Sequence, residues 1–519
     1  MDFYQKLQNT LDDSSANRSV TENGAVGYKT SGKKLLDMNF AVSSLRSKPD
    51  KEVEMQFAEA CGENLNNAIV WLFFARDCTK GMGERRLFRI CFKYLAREWP
   101  VITRKLVPLV AEYGRWDDLW CLLDSPNLKG CVLQLVTAQL TSDMRNAQQG
   151  KSISLLAKWL PSETTSSQET RNLAGIIRAS LQVTPRRYRK VLSALRKYLD
   201  VTERKMSANQ WGEIKYEAVP SRANLNYNSA FLRHDEERRR EYLGKLEKGE
   251  TKINSSVLFP HDIVHKYIDS PSWRLSTLPY DAALEAMWKG LPNTVEGGAG
   301  TIVVADGSGS MTSPVGKTKI TAWEVAHSLA IYFAEKLPKP FRDKYITFSM
   351  NPQLVNLSGA NTLKGKLDIA VRHDECANTN IEAVFDLILR TAVQNQLRQD
   401  EMPKNIVIIS DMEFDNCASS GSVNEVNYWT RHRPTTTLFE TIAKKYESLG
   451  YKLPRLVFWN VNSRTGTIPV KENDLGVALV SGFSPNVAKM VLSGKLDPYE
   501  ALMDTLNSPR YDKVREALK

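Results

Sequence analysis

Thr301-Ile-Val-Val-Ala-Asp-Gly-Ser-Gly-Ser310 is a short β-branched run that ends on a carboxylate and breaks into a hydroxyl-rich turn. Asp306, Ser308 and Ser310 fall at alternating positions of that turn. Gly307 and Gly309 free the backbone to aim all three side chains at one spot. One carboxylate and two hydroxyls make a half-shell of hard oxygens, which suits Mg2+ or Mn2+ rather than zinc or copper.

Outward from this stretch, strands and helices alternate. Candidate strands are Thr301–Ala305, Tyr345–Phe348, Asn405–Ser410, Arg455–Asn460 and Val477–Val480, and candidate helices are Thr321–Leu337, Ile381–Gln396, Thr437–Leu449 and Pro485–Leu492. Two of the strands are continuously apolar, as central parallel strands covered on both faces should be. The alternation predicts a doubly wound α/β sheet with ligands at the carboxyl ends of its strands. Asn405-Ile-Val-Ile-Ile-Ser-Asp411 repeats the design of a buried strand ending on a carboxylate, and Cys376-Ala-Asn-Thr-Asn380 is a polar loop leading into a helix.

With these pieces in place, Asp306-x-Ser308-x-Ser310 resembles the metal-ion-dependent adhesion site of von Willebrand factor A domains. The resemblance implies that Thr379 and Asp411 complete the metal set. It also implies an open coordination position that takes a carboxylate or other anion from a partner. The family usually carries Gly after the last aspartate; this chain has Met412. No phosphate loop accompanies the site, since Gly316-Lys-Thr318 lacks the preceding Gly and strand that such a loop needs. No His stands near these residues in the sequence to serve as a base. The expectation is a binding device with no catalytic residues, not an enzyme.

The chain has 519 residues, which predicts about two to four domains. Its 42% hydrophobic and 25% charged content is ordinary for a soluble globular protein. Seven cysteines without a Cys-x-x-Cys pair argue against a disulfide framework and for a reducing, cytoplasmic setting. Neither a signal peptide nor an apolar run of about 18 residues is present, so no membrane contact is expected. Residues 1–20 read as a flexible arm, residues 21–296 as an α-helical domain, and residues 297–519 as the α/β domain with C-terminal helices. The helical pattern runs through Glu52–Ala75, Arg85–Trp99, Val101–Tyr113, Asp117–Leu123, Val132–Gln148, Gln168–Ser180 and Arg186–Lys205. Such a succession predicts a helical solenoid or large bundle, with no strict repeat period. Glu296-Gly-Gly-Ala-Gly300 is the expected hinge.

Between the helices lie three unusual phrases: Asn23–Gly32, Arg76–Arg86 and Tyr113-Gly-Arg-Trp-Asp-Asp-Leu119. With Leu155–Pro161, Lys190–Leu199, Val219-Pro-Ser221 and Gly476–Pro485, they give the chain a resemblance to the TROVE-plus-von-Willebrand-A architecture of the Ro autoantigen family. The resemblance is nearest to that family's relatives in plants, fungi, bacteria and large viruses, and it spans roughly residues 20–510. It implies a HEAT-like helical ring closed by an A domain, binding structured or single-stranded noncoding RNA.

Charge placement agrees with that expectation. Residues 1–296 carry 44 Lys and Arg against 35 Asp and Glu, while residues 297–519 carry 26 against 24. From Thr184 to Lys252 there are 17 basic and 10 acidic residues. Arg186, Arg187, Arg189, Lys190, Arg196, Lys197, Arg204 and Lys205 are the candidate phosphate contacts, with Tyr188 as a candidate stacking platform. A solvated basic face is the plainer alternative. Tyr198 and Trp211 read as core, and Arg238–Arg240 follows Asp235-Glu-Glu237, which can absorb its charge locally. A scaffold capturing an acidic protein partner through the metal site, or an assembly protein using the A domain to oligomerise, are the rival functions.

Overall fold

The computed structural model describes residues 17–269, 275–295, 298–415, 438–469, 477–488 and 497–519. A mostly helical N-terminal region is followed by a mixed α/β sheet region. Compactness divides the chain differently from pattern. One unit gathers Met1–Ala68, Leu258–Asp281 and Leu291–Asn507; the other gathers Ile69–Val257, Ala282–Gly290 and Ser508–Lys519. The boundary expected at residue 296 thus separates two sequence patterns, not two packed bodies. Of the expected hinge, Glu296 and Gly297 lie outside the described residues, as do residues 1–16 of the expected arm.

The first unit opens with a hairpin, β1 (Arg18–Val20) and β2 (Val26–Tyr28), where the end of a loose arm was expected. A two-residue ladder follows, β3 (Ile268–Asp269) with β4 (Ser276–Thr277). The main sheet comprises β5 (Thr301–Asp306), β6 (Lys344–Phe348), β7 (Pro352–Asn356), β8 (Asn405–Ser410), β9 (Arg455–Asn460) and β10 (Val477–Ser481). Its order is β10-β9-β8-β5-β6-β7, parallel throughout except for β7, which runs antiparallel to β6. All five expected strands are present. β7 escaped the sequence reading because it begins on Pro352 and exposes Leu354, leaving no apolar run to see. In β9 every residue is buried, and in β5 and β8 all but one are, as strands covered on both faces must be.

The helix Ala322–Lys336 packs against β5, β6 and β8. Its entry is set by a capping box in which Thr321 Oγ1 accepts from Glu324 N and the Glu324 carboxylate accepts from Thr321 N. Glu382–Gln394 and Leu438–Ser448 are the other expected helices. The segment expected as Pro485–Leu492 begins with a 3-10 turn, Pro485–Val487, and Ala488 is helical; residues 489–492 lie outside the described residues.

The second unit is helical. Arg85–Glu98, Lys129–Gln148 and Gln168–Ser180 follow the expected periods. The segment expected as Val101–Tyr113 divides into Pro100–Leu106, a 3-10 turn and Val110–Tyr113. The segment expected as Asp117–Leu123 is the 3-10 stretch Trp116–Leu122. Arg186–Lys205 is two helices, Pro185–Tyr198 and Thr202–Ser207, broken where Asp200 takes a left-handed φ of 51°.

The phrase around Gly114 is a structural knot. Asp118 is fully buried and accepts from Arg76 Nε at 2.7 Å, Arg89 Nε at 2.9 Å and the Arg115 backbone N–H at 3.0 Å. A Cβ on Gly114 would stand 2.6 Å from Asp118 Oδ2, so only glycine lets the chain pass. Nearby, Phe73 meets Phe88, Phe92 and Tyr113 edge-to-face, and Phe88 stacks on Phe92.

Candidate functional site

The strand order places the site. From β5 the chain moves outward through β6 and β7, then returns to the other side of β5 and moves outward again through β8, β9 and β10. The order therefore reverses between β5 and β8, and ligands of such sheets sit beyond the strand ends at that reversal. Asp306 ends β5 and Asp411 follows β8. The two carboxylates expected as metal ligands flank this crevice.

Around them lie hydroxyls and backbone donors. Asp306 Oδ1 accepts from Ser308 N at 2.9 Å, and Ser308 Oγ lies 3.1 Å from Ser310 Oγ. Gly309 N donates to Ala377 O at 3.0 Å, which brings the 376–379 loop, with Thr379, against the 307–310 turn. Met412 holds a left-handed φ of 64°, a backbone that favours glycine, with its side chain buried.

Asp306, Ser308, Thr379 and Asp411 are all nearly inaccessible, and Ser310 is half-buried. Burial, and after it the charge of Asp411, pushes the Asp306 carboxyl up to about 7, against hydrogen bonds from Ser410 and Ser308. Burial raises Asp411 too, opposed by the neighbouring Ser310 hydroxyl and the Arg464 charge. Asp411 Oδ2 accepts no hydrogen bond. Two crowded carboxylates, one with an oxygen left unbonded, and three hydroxyls from three chain segments fit a hard divalent cation. Among the described residues no group of three or more His, Cys, Asp or Glu is placed to hold a metal, so a zinc-like site is not formed elsewhere in them.

Several residues at this site carry no sequence signal. The tip of the β1–β2 hairpin lies across it: Asn23 Nδ2 donates to Thr379 Oγ1 at 3.2 Å and to Glu413 O at 2.6 Å. Glu22 pairs with Arg464 at 2.5 Å, and Arg464 Nη2 stands 3.5 Å from Asp411 Oδ2. Glu413 is buried and accepts from the backbone N–H groups of Glu22, Arg464 and Thr465, which fixes the 463–465 turn beside the site. These groups are more than 350 residues apart from the hairpin in sequence, and no local pattern links them. One histidine is closer than the sequence suggested. His327 lies beside the Asp306 main chain, stacked on Trp323 at 4.2 Å, and burial pushes it down to about 3. Its ring is a packing group, with Nδ1 3.0 Å from Tyr345 Oη.

The basic candidates divide sharply. Arg186, Arg187, Arg189, Lys190 and Lys197 are exposed on the Pro185–Tyr198 helix, and none of their side chains has a hydrogen-bond or ion-pair partner among the described residues. The helix starts on Thr184, whose hydroxyl accepts from Arg187 N, with Pro185 in the first turn. Tyr188, Leu192 and Leu195 form its buried side.

Tyr188 is not a stacking platform: it is 1% exposed and its hydroxyl donates to Pro161 O. Arg196 is spent on Ala157 O, Leu160 O and Ser162 Oγ, and Lys205 is buried on Glu213 O and Asp200. Arg204 reaches Gln210 Oε1 at 3.4 Å. Tyr198, expected in the core, is 42% exposed with its hydroxyl on Lys151 O, and Trp211 is half-exposed and stacks on His234. Arg238 and Arg240 pair locally with Asp235 and Glu236 as expected, whereas Arg239 is buried and donates to the neutral amide oxygens of Asn224 and Asn228.

Residues 300–516 match a family model described as a domain of unknown function (DUF7788), and residues 126–295 match a second domain of unknown function (DUF2828). The full chain is similar to "Uncharacterized protein L728" of Acanthamoeba polyphaga mimivirus, with 30% identity over 531 residues covering 95% of this chain and 87% of the viral one. Similarity at that level over nearly the whole of both chains carries both regions together in the same order. The chain therefore belongs to the family that includes the mimivirus protein L728.

Proposed function

We propose that this protein is a non-enzymatic, cytoplasmic RNA-binding protein of Ro/TROVE type, whose α/β region is a von Willebrand A-like domain with a Mg2+ or Mn2+ site. The observation that carries the RNA reading is the row of five exposed cations on the Pro185–Tyr198 helix whose side chains have no partner among the described residues. A helix face that leaves five cations without a carboxylate partner among the described residues is a concentrated positive field, which suits a polyanion such as a phosphate backbone. With Tyr188 buried, recognition rests mainly on phosphates, which favours structured RNA over base-by-base reading of a single strand. Fluorescence anisotropy of a labelled RNA hairpin at low salt tests this. Binding that falls steeply with added salt is the expected result, and sequencing the nucleic acid that copurifies would identify the ligand.

A second reading rests on the crevice between β5 and β8. There Asp306, Ser308, Ser310, Thr379 and Asp411 would hold the cation, which when bound offers a Lewis-acidic position to a partner carboxylate. The site then serves capture of an acidic protein, in a scaffold or an assembly. Protein capture that is lost with EDTA, together with no affinity for RNA at low salt, decides for this reading alone.

A further inference from the structure

Asp411 is 1% exposed, and its Oδ2 accepts no hydrogen bond. The positive group facing that oxygen is Arg464, with Nη2 3.5 Å away. That distance is too long for a hydrogen bond yet short for two opposite charges at a buried carboxylate. The same Nη2 is held more tightly by Glu22, at 2.5 Å. Arg464 is thus shared between a buried carboxylate of the metal set and an exposed carboxylate at the hairpin tip.

The hairpin that carries Glu22 is firmly seated. Tyr28 and Ile468 exchange two backbone hydrogen bonds at 2.8 Å, and Ser19 Oγ meets Thr467 Oγ1 at 3.0 Å. A Cβ on Gly27 would collide with Thr467 Cγ2 at 2.6 Å, so β2 lies directly on that segment. Thr21 Oγ1 donates to Phe414 O at 2.7 Å, and Glu22 N donates to Glu413 Oε2 at 2.8 Å. Backbone anchors therefore fix where the Glu22 side chain starts, and the Glu413 carboxylate fixes the turn from which Arg464 starts. Neither charge has freedom to drift far from Asp411.

We propose that Arg464 and Glu22 form a charge latch that sets the cation affinity of the site, Arg464 competing with a divalent ion for Asp411 and Glu22 drawing that competing charge away. The two residues act in opposite directions. A fixed positive charge beside Asp411 disfavours a second cation there, and a carboxylate on that positive charge weakens its effect. The latch rests on the metal reading of the site, and it makes the N-terminal hairpin a determinant of the charge that faces Asp411, a residue distant from it in sequence.

The test is calorimetric titration of the full chain with Mn2+ alone, after EDTA treatment and dialysis, with thermal unfolding as a second readout. Arg464→Gln should bind Mn2+ about tenfold more tightly, since a like charge at this range is worth about one pKa unit or more. It should also melt lower than wild type in EDTA, having lost the charge that faces Asp411, and gain more from Mn2+. Glu22→Gln should bind Mn2+ about two- to fivefold more weakly, the size expected of a partly screened charge. Arg464→Lys keeps the charge and should stay within about twofold of wild type. Wild-type binding with Arg464→Gln unchanged or weaker overturns the latch while leaving the metal site standing, as does Glu22→Gln binding more tightly. Absence of Mn2+ binding in every protein overturns the metal reading and the latch together.

Discussion

Ser410 Oγ donates to Asp306 Oδ2 across 2.5 Å, joining the carboxyl ends of the adjacent parallel strands β8 and β5. Ser410 Oγ also accepts from Met412 N at 2.9 Å, at the residue whose left-handed backbone turns the chain past the site. Ser410→Ala removes a donor from a fully buried carboxyl and an acceptor from a buried N–H. Each such loss costs about 1–3 kcal/mol. The variant should unfold at lower denaturant concentration and bind Mg2+ more weakly, because Asp306 is then harder to ionise. Chemical unfolding and calorimetry check the two effects separately.

Asp306 also predicts a pH dependence. Its carboxyl is raised by burial and by Asp411, and Asp411 is raised by burial. A carboxyl raised in the folded state favours folding below the ordinary Asp range, and that contribution is lost as pH rises through the folded value, about 7 for Asp306. In EDTA the protein should therefore lose stability from pH 5 to pH 8. Asp306→Asn, which cannot ionise, should flatten that slope and melt higher than wild type at pH 8. Mg2+ should raise the wild-type melting temperature at pH 8 and leave the variant unmoved. A wild-type stability that rises over this window instead would contradict the raised carboxyls.

How much of this was legible beforehand depends on distance along the chain. Asp306, Ser308 and Ser310 lie on one turn after one apolar run, so their convergence is written in five residues. Asp411 was legible because its strand repeats the same design. Asn23, Glu22 and Arg464 were not, since each acts across the fold and none sits in a periodic or glycine-marked pattern. Tyr188 was misread because a basic, aromatic-bearing run does not say which side of its helix turns inward. Leu192 and Leu195, one turn and two turns on, place Tyr188 on the apolar side once the helix is known to start at Pro185. β7 was invisible for the opposite reason, as an edge strand without an apolar face.

A stability prediction concerns the end of the chain. Asp77 is fully buried in the second unit and accepts from Arg510 Nε at 2.8 Å, from Thr79 Oγ1 at 2.8 Å and from Thr79 N at 3.0 Å. Arg510 also lies over the Tyr113 ring at 4.5 Å. Arg510→Met keeps the aliphatic stem but strands the Asp77 charge. Breaking a buried pair from one side costs about 3–5 kcal/mol, and the partly wet Arg510 places the loss at the lower end. Urea unfolding followed by tryptophan fluorescence should record it. Asp77→Asn with Arg510→Met should recover part of the loss, because the buried charge is then gone as well.

The RNA reading makes a prediction that separates the two faces of one helix. Arg186, Arg187, Arg189 and Lys190 are exposed and unpartnered among the described residues, whereas Arg196 on the same helix is consumed by Ala157, Leu160 and Ser162. Converting the first four to Gln should leave the melting temperature nearly unchanged, since exposed charges without partners contribute little to folding. RNA affinity should fall by a similar factor across unrelated sequences. The slope of log K against log salt should become shallower by about 0.7–0.9 for each phosphate that is no longer neutralised. Arg196→Gln should do the reverse, lowering stability by about 1–3 kcal/mol for the stranded carbonyls while leaving the salt slope intact. Tyr188→Phe should cost about 1 kcal/mol through the lost bond to Pro161 and nothing in RNA affinity, while Tyr198→Ala should weaken binding only to RNA with unpaired bases. Equal affinity and equal salt slope in the fourfold variant and wild type would remove this helix from the interface, and leave metal-dependent capture of an acidic partner as the function to pursue.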